Sequence, residues 1–99
     1  MKHFQEKEIC EALEFVTAGG QALHIFKPTR ASANKRIPLP FRRTKVWAHL
    51  LDLNKQRLVE TARKLGVKII VIDCKGGRGQ HVDLCGRPLE RAIKECQGE

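Results

Sequence analysis

The chain predicts a small α/β (α+β) domain, a mixed sheet of three or four strands with three helices packed on it. Three observations carry this expectation. Apolar residues recur with helical spacing in three windows, around residues 6–17, 54–66 and 88–96. Short alternating or continuous apolar runs separate them at 22–26, 45–51 and 67–73. At 99 residues the chain has room for one hydrophobic core, so 1–99 reads as a single domain.

The first helix is expected over Glu6 to Thr17. Ile9, Ala12, Leu13 and Val16 fall at i, i+3, i+4 and i+7, and Phe15 widens the stripe. Glu6 and Glu8 suit the positive end of its dipole, and Gly19-Gly20 supplies a stop. Ala22-Leu23-His24-Ile25-Phe26 is a short strand ended by Pro28. Residues 28–44 show no periodicity and read as a long basic loop, with Ala31 to Asn34 as its tip and Ile37-Pro38-Leu39-Pro40-Phe41 as an extended stretch.

Lys45 to Leu51 alternates, with Val46, Ala48 and Leu50 on one face and Trp47, His49 and Leu51 on the other. Both faces of this strand are therefore expected to be at least partly covered. Asn54 then caps a helix whose stripe is Leu58, Val59, Ala62 and Leu65, with Leu53 and Leu58 as a hydrophobic staple and Gly66 as the stop. Val67 to Asp73 is a dense β-branched run, expected to form a central strand parallel to 45–51 through a right-handed crossover. A glycine-rich turn, Lys75 to Gln80, leads to a short strand His81 to Leu84. Pro88 opens a last helix with Leu89, Ala92, Ile93 and Cys96 in its stripe.

Charge is concentrated. Lys27, Arg30, Lys35, Arg36, Arg42, Arg43 and Lys45 lie within nineteen residues that contain no acid. The whole chain has 19 bases and 11 acids, a net +8, and the other 80 residues hold twelve bases against eleven acids. A local cationic stretch on a near-neutral body predicts docking to a polyanion, with nucleic acid (DNA or RNA) as the first expectation. Apart from Phe41 the stretch has no interleaved aromatic residues, so it predicts phosphate contact rather than base stacking. A solvated surface segment is the bland alternative, and an acidic protein surface is another partner with suitable charge. Lys75 and Arg78, in the Gly76-Gly77-Arg78-Gly79 turn, are auxiliary contacts; the turn is neither a Walker loop nor a dinucleotide fingerprint.

No apolar run is long enough to span a bilayer, and the N-terminal residues turn acidic without an apolar signal core. The expectation is a cytoplasmic protein with no membrane partner. Cys10, Cys74, Cys85 and Cys96 then read as small core residues rather than disulfides. Zinc on Cys74, His81, Cys85 and Cys96 is disfavoured because no close Cys-x-x-Cys pair is present.

The most chemical set is His49, His81 and Asp83. On a strand His81 and Asp83 leave the same face, and a neighbouring 45–51 strand would bring His49 to them. Two imidazoles and a carboxylate suit a divalent metal, or a base with its orienter for hydrolysis. The plain alternative is an Asp83 that only hydrogen-bonds His81. No other cofactor is expected.

Trp47-Ala48-His49-Leu50 with Asp52 behind it, the helix end Ala62 to Val67, His81-Val82-Asp83-Leu84 and a basic helix through Arg87 and Arg91 form one ordered pattern. It resembles a small domain family of bacteria and their phages whose activity is not established, with W-x-H-L, A-x-x-L-G and H-Y-D-L segments. The resemblance covers about half the chain. Val82 stands where that family usually has tyrosine, and the opening helix and basic loop look like additions to its compact start. The resemblance implies no reaction, but it adds weight to His49, His81 and Asp83 as a set. Three functions are thus in view: a nucleic-acid binder, a metal-assisted or histidine-based phosphodiesterase or nuclease, and a phage or host interaction module.

Overall fold

A computed structural model gives the fold and describes residues 1–27 and 46–97. One four-stranded sheet runs in the order β1 (Lys2–Phe4), β2 (Gln21–Phe26), β3 (Trp47–Asp52), β4 (His81–Leu84). The first pair is parallel and the other two are antiparallel, so the sheet is mixed. Among the described residues three α-helices complete the α+β fold: α1 (Ile9–Thr17, after a 3-10 turn at Glu6–Glu8), α2 (Lys55–Lys64) and α3 (Gly86–Gln97).

Strand alternation divides the core in two. One face presents Leu23, Ala48, Leu50, Val82 and Leu84 to Leu58, Ala62 and Leu65 at α2 and to Leu89 and Ala92 of α3. The opposite face presents Phe4, Ala22 and Leu51 to Ala12 and Val16 of α1. α1 packs on β1, β2 and β3. The β4 end of that face carries the polar residues His81 and Asp83 instead of apolar ones.

Local signals explain most boundaries. Asn54 accepts a hydrogen bond from the Arg57 backbone N–H at 3.0 Å, an N-cap for α2; of the expected hydrophobic staple Leu58 is buried and Leu53 stays 42% exposed. Gly66 ends the helix region at φ +96°, and the Arg91 side chain packs against it while donating to the Leu65 carbonyl at 3.0 Å. β1 is missing from the sequence expectation because three residues are too few to show a period.

The expected central strand over 67–73 does not form. β2 and β4 take the two edges of β3, which leaves no place beside it for a parallel neighbour. Ile70 and Ile72 still pack against the main core, while Ile69 is 84% exposed and Val71 61%. Only Asp73 retains strand-like pairing, exchanging backbone hydrogen bonds with His81 at 2.9 and 3.1 Å. The β-branched run meets a packing need without joining the sheet.

The end of β3 is tied down by a buried carboxylate. Asp52 is fully buried and accepts from Arg57 Nε at 2.6 Å and Nη2 at 2.7 Å, from Gln21 Nε2 at 3.0 Å and from the Asn54 backbone at 2.9 Å. Arg57 also donates to the Gly19 carbonyl, so one guanidinium joins the end of α1 to β3 and α2. Gln80 donates to the Asp52 carbonyl at 2.9 Å and accepts from Gly76 N–H at 3.0 Å, which fixes the glycine-rich turn to the same corner.

Two of the four cysteines depart from the expected core role. Cys10 lies on the exposed side of α1. Cys74 is exposed at φ +55°, because the run it was expected to end is not a strand. Cys85 is buried and Cys96 packs at the core margin.

Candidate functional site

The β3–β4 register places His49 opposite Asp83 and Leu51 opposite His81. His49 and the β4 pair therefore share a face, His49 lying diagonal to His81. Asp83 Oδ1 is 3.3 Å from His81 Nε2 and 3.6 Å from His49 Nε2. One ligand atom from each of the three residues lies within 4.8 Å of the other two, and all three side chains are half-buried. The cluster expected from spacing is thus assembled by the antiparallel pairing of β3 with β4.

His81 is oriented from behind. Its Nδ1 lies 2.7 Å from the Gly79 carbonyl, which can only accept, so Nδ1 donates there and Nε2 is left facing the carboxylates. Burial alone would lower its pKa. Hydrogen bonds to Asp83 and Gly79 and the charges of Asp83 and Asp73 outweigh burial and raise it above 6.5. For His49, burial and the neighbouring His81 win, with a smaller push from His24, and bring it down to about 4 against the pull of Asp83. Burial would raise Asp83, but the two histidines and a contact with Asp73 hold it below its usual value. At neutral pH the cluster has a carboxylate and a bare His49 imidazole.

A row of rings backs the cluster. His24 pairs with His49 across β2–β3, with centroids 5.7 Å apart, and Phe26 stacks on His49 at 4.2 Å and meets Trp47 edge-on at 6.0 Å. His24 is buried with Nε2 at 3.0 Å from the Glu6 carbonyl. His24 and Phe26 thus both pack against the His49 ring from β2.

Sequence reading missed two participants. Asp73 Oδ2 is 3.7 Å from His81 Nε2, brought there by the backbone pair with His81. An acid closing an apolar run just before a glycine-rich turn was the available signal, hidden by assigning the run to a central strand. His24 could have been found from the alternation of Ala22, His24 and Phe26 once β2 was paired antiparallel to β3.

Of the expected nucleic-acid contacts, Lys27, Lys75 and Arg78 are exposed. Arg30, Lys35, Arg36, Arg42, Arg43 and Lys45 lie outside the described residues, as do the loop tip at 31–34 and the extended stretch at 37–41. Among the described residues His49, His81 and Asp83 form the one group with metal-ligand geometry, so the set Cys74, His81, Cys85 and Cys96 is not assembled. No described helix is long and apolar enough to cross a membrane. No family model, curated protein or solved structure matches the chain.

Proposed function

We propose that the protein is a metal-assisted phosphodiesterase acting on nucleic acid, with one divalent ion held by His49, His81 and Asp83. The observation that carries this reading is the convergence of their three ligand atoms within 4.8 Å. Ligands about 2.1 Å from a tetrahedral metal lie roughly 3.4 Å from one another. The 3.3 and 3.6 Å separations around Asp83 Oδ1 suit that arrangement without rebuilding either strand. Two imidazoles and one carboxylate favour a first-row ion such as zinc, cobalt or manganese, and leave a position open.

When bound, the ion supplies a Lewis acid for a phosphoryl oxygen and lowers the pKa of a coordinated water. The protein's own groups do the rest. Gly79 keeps His81 Nε2 aimed at the site, where a metal would displace its proton, and the low pKa of His49 keeps that ring free of a competing proton at neutral pH. Lys75 and Arg78, exposed on the turn that carries Gly79, would serve as phosphate contacts. Hydrolysis adds water across one ester bond: its oxygen joins phosphorus, and the departing alcohol leaves with one of its protons.

The test is cleavage of DNA and RNA oligonucleotides with manganese, zinc or magnesium, with and without chelator. Cleavage that needs metal and is lost in His81→Ala supports the reading. Cleavage that survives chelation or that substitution contradicts it.

The acid-free run Lys27 to Lys45 favours a second reading, a nucleic-acid binder without hydrolysis. If four of its charges meet duplex phosphates, log K falls against log salt with a slope of about −3.6. Salt-insensitive binding, or full binding in the Arg36, Arg42 and Arg43 triple alanine variant, contradicts it.

A further inference from the structure

Two carboxylates meet at this site, and only one of them belongs to the set described above. Asp73 Oδ2 stands 3.7 Å from the Nε2 of His81, the nitrogen that Asp83 Oδ1 approaches to 3.3 Å. Among the described residues neither acid has a lysine or arginine partner; their ion-pair contacts are the two histidines. Two acids thus converge on one imidazole nitrogen. A divalent ion between them would neutralise both.

The position of Asp73 is built rather than incidental. Its backbone N–H donates to the His81 carbonyl and its carbonyl accepts from His81 N–H, so its Cα is held beside β4 where the preceding residues are not. The turn behind it is closed by Gly77 N–H donating to the Cys74 carbonyl and anchored by Gln80 to the end of β3. Its side chain remains half exposed, on the solvent side of His81 Nε2 from which an ion would arrive. The 3.7 Å gap to His81 Nε2 is again close to the edge of a tetrahedral coordination shell.

We infer that Asp73 is a further metal ligand, which makes the centre a two-imidazole, two-carboxylate site spanning β3, β4 and the turn before β4. The inference rests on the metal reading of His49, His81 and Asp83 and extends it to a residue outside the sheet. The filled centre is electroneutral, with Lys75 and Arg78 on the same turn left to attract a phosphate. Metal binding would then also fasten the 73–80 turn.

Cobalt(II) titration at pH 7.5, read by visible d–d absorption, tests the assignment on the full chain. Wild type, Asp73→Asn, Asp83→Asn and the distant surface variant Ile69→Thr are compared, each checked for folding by circular dichroism. The expected result is at least about a tenfold loss of cobalt affinity and a changed band shape in Asp73→Asn, with Ile69→Thr like wild type. Cobalt uptake by wild type with an unchanged Asp73→Asn titration and spectrum overturns the Asp73 assignment alone. No uptake by wild type overturns it together with the metal reading beneath it.

Discussion

His81 donates from Nδ1 to the Gly79 carbonyl at 2.7 Å, and that bond decides what its other nitrogen can do. A histidine beside a carboxylate usually offers it a proton. Here Nδ1 is committed to Gly79, so Nε2 is the nitrogen that faces the carboxylates: with a proton it pairs with Asp83, and without one it can take a cation. The Gly79 bond therefore fixes which His81 nitrogen a metal could reach, and it comes from the turn 73–80.

The opposite shifts of the two histidines predict a stability optimum for the metal-free protein near pH 6.5. His49 has a folded pKa of about 4, so the unfolded chain takes up its proton first and stability falls as pH drops from 6.5 toward 4. His81 is raised, so its contribution is complete below 6.5 and is lost as pH rises through its folded value. Asp83 adds a loss below its usual value of 3.8. Melting temperature against pH should show both limbs, with His49→Gln flattening the acid side and His81→Gln the alkaline side. A flat profile from pH 5 to 8 would refute the opposed shifts.

Metal should raise stability by mass action. At a free concentration one hundred times Kd the gain is about 2.7 kcal/mol, which in a domain of this size is roughly 10–20 °C in Tm. Differential scanning calorimetry with zinc and after chelation would read it. The shift should vanish in His81→Ala, and its persistence there would assign the uptake to other groups.

Arg57→Leu should destabilise the fold by roughly 2–3 kcal/mol, because it leaves the fully buried Asp52 carboxylate with only Gln21 and the Asn54 amide. The figure is set below that for a fully buried pair because the Arg57 side chain is 43% exposed. Urea denaturation measures it, and a loss under about 0.5 kcal/mol would mean that water replaces the guanidinium.

Leu50 and Ile69 should respond very differently although both lie in apolar runs. Leu50→Ala opens a cavity in the main core and should cost about 2–5 kcal/mol. Ile69→Thr alters a residue 84% exposed and should stay within about 0.5 kcal/mol. A large loss at Ile69 would restore the buried strand that the sequence suggests.

What was legible in the sequence follows from how local each signal is. The Asn54 cap, the stripe of Leu58, Ala62 and Leu65 and the alternation about His49 each need a handful of neighbours and are found as expected, whereas Val59, expected in that stripe, is only half-buried. The trio was legible because His81 and Asp83 are two apart and only one pairing, β3 with β4, had to be supplied. The run 67–73 misled because a dense β-branched stretch satisfies core packing with Ile70 and Ile72 alone, and strand membership depends on which edges of β3 are free. Asp73 went unnoticed for the same reason, since its place is fixed by a single bridge to His81.

The central claim, that His49, His81 and Asp83 are one metal site, is tested most directly by isothermal titration of zinc into the metal-free protein at pH 7.5. The account predicts one ion per chain in wild type, and its loss in His49→Ala, His81→Ala and Asp83→Ala, each folded by circular dichroism. A wild type that takes up no zinc, or a His81→Ala variant that binds as wild type does, would contradict it.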